Sequence, residues 1–335
     1  PPRSTLFPYT TLFRSNKGFD GFRVDMADSL IKGDDDKSAT IELWKEIREE
    51  IFDKEYPEAV LVSEWSDHEK SVRAGFHGDF YLDHFENGYN RLFRYIKNGV
   101  NLSFFAGHGN IASFLADYMP RYLACNKRNG HVCFISGNHD TFRLARKSNG
   151  YNERMLQLMY AFILTMPGVP FIYNGDEIGM EHMEDLPSKE GGYQRTGSRT
   201  PMQWNQGRNR GFSNVEDSAQ LFLPVNSDPN QCVEIQKGRK DSLLNVIKEL
   251  THLRLQLEDL RTRDFSVVFA EHFAYPFVYK RNNLVIAINP SDEERTIVGD
   301  YKNLSSVYQI GSCKQECHRL IIQPWSFAIL KKEEE

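Results

Sequence analysis

Between residues 18 and 174 the chain alternates short apolar segments with helical stretches, and this alternation restricts the fold more than any other feature. Strands separated by helices return in the same direction, so a parallel α/β sheet is expected. The first segment, G-F-D-G-F-R-V-D-M-A at 18–27, sets Phe22, Val24 and Met26 against Arg23, Asp25 and Ala27, the period-2 pattern of a strand. Residues 59–64 form a second strand of the buried parallel kind, and 79–85, 131–136 and 170–174 give three more. Helices are expected between them. One is capped by Ser38 or Thr40 with Ile41, Leu43, Trp44, Ile47 and Ile51 on its inner face; others cover 89–97, 111–123 and 153–165.

Three of the strands run into polar clusters: Asp25, Glu64, and Asn138-His139-Asp140. Acids at the C-terminal ends of successive strands are the layout of a (β/α) barrel active site. A doubly wound sheet also places ligands at carboxyl ends, but no Gly-rich phosphate loop is present, which argues against a nucleotide fold. Two residues apart on a strand, Arg23 and Asp25 point the same way. The cation favours the ionised form that a carboxylate nucleophile requires, although an ordinary salt bridge has the same signature. Two carboxylates held across a scissile bond are the machinery of glycoside hydrolysis, with a third free to hold sugar hydroxyls. The same acids could instead ligate Mg2+ or Zn2+. Only His139 lies beside them, and no H-x-H follows the other strands, so neither a metal nor another cofactor is expected.

The net charge of −5 gives no basic footprint for nucleic acid or an anionic membrane surface. No apolar run approaches the length of a membrane span. The five cysteines are scattered; Cys313 and Cys317 could pair or share a metal, but no second ligand pair accompanies them. Reduced thiols and a cytoplasmic location are expected.

The 335 residues have room for one large domain and a small one. Residues 181–241 are polar and rich in Gly, Pro and Asn, a length that suggests a functional loop. A helix over 242–261 turns Leu243, Leu244, Val246, Ile247, Leu250, Leu253 and Leu257 inward. Beyond Arg263 only short alternating strands remain, at 266–269, 277–280, 284–289, 319–322 and 327–330. The expected domains are therefore 16–263, α/β, and 264–335, a small antiparallel, sandwich-like β domain. The stretch T-L-F-P-Y-T-T-L-F-R-S at 5–15 reads as the translation of a sequencing-adapter oligonucleotide. On that reading residues 1–15 are an artefact, and protein upstream of Asn16 is missing.

The motifs G-F-R-V-D-M-A at 21–27, V-S-E-W at 62–65, G-N-H-D at 137–140 and G-V-P-F-I-Y-N-G-D-E-I-G-M at 168–180 together resemble the α-amylase family, glycoside hydrolase family thirteen. The resemblance implies a (β/α)8 TIM barrel, here its strands four to eight, followed by a β domain. It implies Asp25 as nucleophile with Arg23 as its partner, Glu64 as general acid/base, and Asp140 as the acid that binds the transition state, with Asn138 and His139 beside it. Reaction would run with retention through a covalent glycosyl-enzyme. S-R-T-P-M-Q-W at 198–204 and G-R-N-R-G-F-S at 207–213 look like the α-glucosidase, oligosaccharide-glucosidase and trehalose-synthase branch, whose substrates are disaccharides and short oligosaccharides. Arg143 and Arg146 are candidate contacts to the end sugar, and Tyr173 and Trp204 candidate stacking surfaces. Met26, after the nucleophile, holds a position tied to linkage preference.

Family members carry three further strands before this point, an Asp and His motif, and an inserted subdomain that often bears calcium; these are absent here. The expectation is a glycosidase parent and a poorly folded or inactive fragment. A transglucosylase of the trehalose-synthase kind shares the mechanism. A non-catalytic binding subunit is the alternative of another class.

Overall fold

The computed structural model describes residues 17–189, 195–226 and 228–333, so the adapter-like residues 1–15 lie outside it. The chain divides into two compact units, Pro1–Leu82 with Asp117–Phe134, and Asp83–Ala116 with Ile135–Glu335.

In the first unit β1 (Gly21–Val24), β2 (Val60–Ser63), β3 (Gly78–Tyr81) and β4 (His131–Ile135) lie side by side, all parallel. Gly21 stands opposite Val60 and Val24 opposite Ser63. A Cβ at Gly21 would come within 2.2 Å of the Val60 carbonyl oxygen, so only glycine admits this approach. The expected alternation through Met26 breaks off early. β1 ends at Val24, and Met26 takes a left-handed φ of 43° that turns it to solvent. Ala27 then comes inward, fully buried, its N–H donating to the Glu64 carbonyl at 3.2 Å. Asp25 thus occupies the turn after the strand.

The helix Ser38–Ile47 buries Thr40, Ile41, Trp44 and Ile47 against Val24, Leu61 and Phe76. Neither Ser38 nor Thr40 caps it. The Asp34 carboxylate accepts from the N–H groups of Ala39 and Thr40 and from the Thr40 hydroxyl, while Asp36 accepts from Ser38 N–H. A π-helical turn, Arg48–Phe52, carries Ile51 and Phe52 into the same core. Trp44 is 1% exposed, its indole N–H donating to the Ala27 carbonyl at 2.9 Å and its ring edge-on to Phe76. Tyr118, on the helix Ile111–Lys127, packs on Tyr81 and Phe134.

In the second unit the expected helix over 89–97 stops after one and a half turns, Gly88–Phe93. Asn98 and Gly99, both at positive φ, instead make the turn of a small hairpin joining Ile96–Lys97 to Val100–Asn101. The helix Glu153–Thr165 forms as expected, capped by the Asn152 side chain and buried nearly all round. β5 (Val169–Phe171) follows, its Phe171 carbonyl accepting from Ser136 N–H. The expected helix over 242–261 covers Leu243–Gln256 and is capped by Ser242.

Beyond it come β6 (Ser266–Phe269), β7 (Phe277–Arg281), β8 (Leu284–Asn289), β9 (Arg295–Val298), β10 (Leu304–Ile310), β11 (Cys313–Glu316), β12 (Arg319–Ile322) and β13 (Ser326–Lys332). They form antiparallel sheets in the orders β10-β13-β8-β7-β6 and β9-β12-β11. Sequence pattern missed β9, β10 and β11, whose half-exposed polar faces hide the alternation. Arg281 is fully buried and donates to the carbonyls of Leu260, Thr262, Asp264 and Thr165. The five cysteines are free thiols.

Replacing Trp44 by alanine should cost about 3–5 kcal/mol, and by phenylalanine clearly less. Urea unfolding followed by far-ultraviolet circular dichroism measures both.

Candidate active site

Parallel pairing of β1 with β2 delivers Asp25 and Glu64 to neighbouring strand ends. The Glu64 main chain is clamped there, its N–H donating to the Val24 carbonyl at 2.9 Å and its carbonyl accepting from Ala27. Its carboxylate accepts from Met26 N–H at 3.0 Å through Oε2, and its Oε1 lies 2.8 Å from the Arg23 guanidinium. The same guanidinium pairs with Asp25 through its other terminal nitrogen. One fixed cation therefore spans two carboxylates that would otherwise repel. The Asp25 side chain is 70% exposed and that of Glu64 14%, so an open acid stands beside a shielded one.

In the second unit, the Asn138 amide oxygen accepts from the N–H groups of Asp140 and Thr141 and from the Thr141 hydroxyl, which fixes the His139-Asp140 turn. His139 Nε2 lies 3.1 Å from Asp140 Oδ2. Asp140 Oδ1 accepts from Arg195 and, at 2.9 Å, from Arg199, whose Nε also donates to the His139 carbonyl. Sequence reading assigned no role to these two arginines. The available signal was their spacing, four residues apart around Gly197-Ser198 at the head of the S-R-T-P-M-Q-W motif.

Arg143 corrects an expectation. It is 1% exposed, with its guanidinium 2.6 Å from Asp176 and donating to the carbonyls of Asn174 and Ser198, and has no exposed face to offer a sugar. Ser136 donates a second bond to Asp176 at 2.6 Å. Burial pushes the Asp176 carboxyl above its ordinary range, opposed by Arg143 and Ser136. Tyr173 lies under the Arg143 guanidinium and spends its hydroxyl on the Ser198 carbonyl at 3.2 Å. Arg146 pairs with Glu184 and stacks on Phe142. Trp204 remains half-exposed. The structure thus gathers Arg23, Asp25 and Glu64 in one unit and Asn138, His139 and Asp140 in the other, and draws Arg143 and Tyr173 inward. Among the described residues no three His, Cys, Asp or Glu side chains are grouped to hold a metal, and no helix is long and apolar enough to cross a membrane.

An open and a shielded carboxyl group thus share one fixed cation at the ends of two parallel strands. Residues 6–262 match the alpha amylase catalytic domain, and the chain belongs to that family. It is 24% identical over 319 residues to Maltase A2 of Drosophila melanogaster, covering 87% of this chain and 54% of that protein. With the probable oligo-1,6-glucosidase 2 of Bacillus subtilis identity is 30% over 201 residues, covering 50% and 35%. Among solved structures, trehalose-6-phosphate hydrolase of Bacillus licheniformis superposes with a TM-score of 0.76 at 18% identity, covering 97% of this chain and 68% of that one. The alpha-amylase of H. orenii gives 0.73 at 21%, covering 97% and 63%. The fold is thus that of alpha-amylase barrels. The chain spans about half the length of the curated relatives it matches.

Substituting Arg143 by methionine leaves Asp176 buried beside an apolar chain, and about 3–5 kcal/mol of stability should be lost at neutral pH. A carboxyl whose folded pKa is raised contributes stability at low pH that is lost as the pH rises through that value. The deficit should therefore shrink on acidification, as urea midpoints across the pH range will show.

Proposed function

We propose that this protein is a retaining glycoside hydrolase acting on disaccharides and short oligosaccharides with α-glucosidic links. The observation that carries the reading is the Arg23 guanidinium shared by Asp25 and Glu64. Asp25 attacks the anomeric carbon while Glu64 gives its proton to the leaving oxygen, forming a covalent glycosyl-enzyme. Glu64, now ionised, takes a proton from water, which displaces Asp25 and restores the original anomeric configuration. Asp140, on its G-N-H-D motif, binds sugar hydroxyls as charge develops on the ring. β1 to β5 are read as strands four to eight of the barrel.

The α-glucoside class is supported by the S-R-T-P-M-Q-W motif and by relatives named as a maltase and as 1,6-glucosidases. A second reading, transfer of glucose to a sugar hydroxyl, is favoured by 37% identity over 109 residues to the trehalose synthase/amylase TreS of Mycobacterium tuberculosis, a match covering 31% of this chain and 17% of that protein.

With the protein as its gene encodes it, maltose and isomaltose should yield glucose whose first-formed anomer, by proton NMR, is α. Asp25→Asn should lower kcat at least about 10³-fold. Trehalose or longer sugars among the products would establish transfer. A β-anomer, or sugar binding with no turnover of any α-glucoside, would overturn the reading.

A further inference from the structure

Asp79 is the second residue of β3, fully buried, and outside the Arg23, Asp25 and Glu64 group. Its Oδ1 accepts from the N–H groups of Trp65 and Ser66, each at 3.1 Å, and from the Ser63 hydroxyl at 2.8 Å. Those three residues flank Glu64 on both sides. Ser66 holds a left-handed φ of 62°, a conformation that a non-glycine residue keeps only where its surroundings impose it. Its hydroxyl accepts from Leu82 N–H at 3.3 Å, and its carbonyl accepts from the Arg121 guanidinium at 2.7 Å. Rotating the chain at Glu64 would break three bonds to one carboxylate oxygen.

We propose that Asp79 is the positioning residue for Glu64: by gripping the peptides of Trp65 and Ser66 and the Ser63 hydroxyl, it sets the direction from which the Glu64 carboxyl meets the leaving oxygen. The inference rests on Glu64 being the acid/base of the proposed glycosidase.

The surroundings say which form of Asp79 does this. Asp79 Oδ2 is buried without a hydrogen-bond partner, 3.7 Å from His68 Nδ1. Burial and the charge of Arg121 hold His68 down at about 3, so it is neutral. Asp67 from the turn before the His68–Arg73 helix and the Cys133 thiol from β4 also face Asp79, while Asp117 and Arg121 face His68. Burial pushes Asp79 up to about 7 against the pull of its three donors. Below that value Oδ2 carries the proton and Oδ1 serves as a carbonyl acceptor for all three bonds. The raised value means that the favourable neutral form is complete in acid and is lost as the pH rises through about 7.

Asp79→Asn keeps an acceptor oxygen and removes the titration; Asp79→Ala removes the acceptor. With maltose, whose leaving group needs protonation, kcat/KM should fall at least about 10-fold in the alanine variant. With 2,4-dinitrophenyl α-glucoside, which leaves unaided, it should change less than about 3-fold. The asparagine variant should match the parent with maltose at pH 6. Equal losses on both substrates, or an asparagine variant as impaired as alanine, would overturn the proposal. A readout independent of turnover uses protein labelled with 15N-tryptophan, the Trp65 amide being assigned from Trp65→Phe. That amide should titrate near pH 7 in the parent and not in Asp79→Asn; a Trp65 amide flat with pH in the parent refutes the grip. Should the protein hydrolyse no α-glucoside, the functional reading fails by itself, and the amide titration still decides whether Asp79 holds the turn.

Discussion

Two acidic side chains brought together at the ends of two strands share one cation that neither leaves nor titrates, and Arg23 supplies it. Its guanidinium reaches Asp25 with one terminal nitrogen and Glu64 with the other. A lysine ammonium would offer a single point charge and could not span the pair in this way. The geometry follows from the sheet. With Val24 opposite Ser63 at the strand ends, the residues that follow are Asp25 and Glu64, and parallel pairing leaves both at the same end. A one-residue slip would face Asp25 with Ser63 and send Glu64 to the other side of the sheet. The Gly21 contact with Val60 helps to exclude such a slip, because no side chain fits there.

The second unit reaches a similar result by another route. Arg143 is buried, and through Asp176 and the carbonyls of Asn174 and Ser198 it ties the segment after β5 to the turn that carries Arg195 and Arg199. Those two arginines in turn hold Asp140. A cation inside the protein thus supports cations at its surface. Arg281 does the same structural work in the β sheets by saturating four carbonyls. Guanidinium suits these places because it presents five donors in a planar fork and is more weakly hydrated than an ammonium group.

Much of this was legible in the sequence for a physical reason. Strands buried in a parallel sheet must be apolar, so 131–136 and the helix over 153–165 announced themselves. Asp25 and Glu64 follow β1 and β2 directly, where the strand pattern put them. What was missed lay where local chemistry overrides periodicity. Met26 breaks the alternation because the chain must turn to bring Ala27 under Trp44. The Asn98-Gly99 pair was a hairpin signal submerged in a helical-looking stretch. Arg143 was read as a contact to the end sugar because its partner, Asp176, lies 33 residues away, on a turn whose approach no one-dimensional pattern encodes.

The residues around Glu64 show how strain and burial are put to use together. Met26 and Ser66, on the two turns that flank the acid pair, both hold left-handed conformations that they would not adopt alone. Each is secured by a carboxyl group. Glu64 accepts the Met26 N–H, and Asp79 accepts the Ser66 N–H from inside the sheet. Glu64 and the buried Asp79 therefore hold successive turns of the same rim, one in contact with solvent and one sealed from it. Sealing Asp79 removes the competition of water for its donors and raises the cost of its charge. Burial favours the neutral acid while the three donors from Ser63, Trp65 and Ser66 favour the ionised one, and the raised pKa of Asp79 records that burial outweighs them.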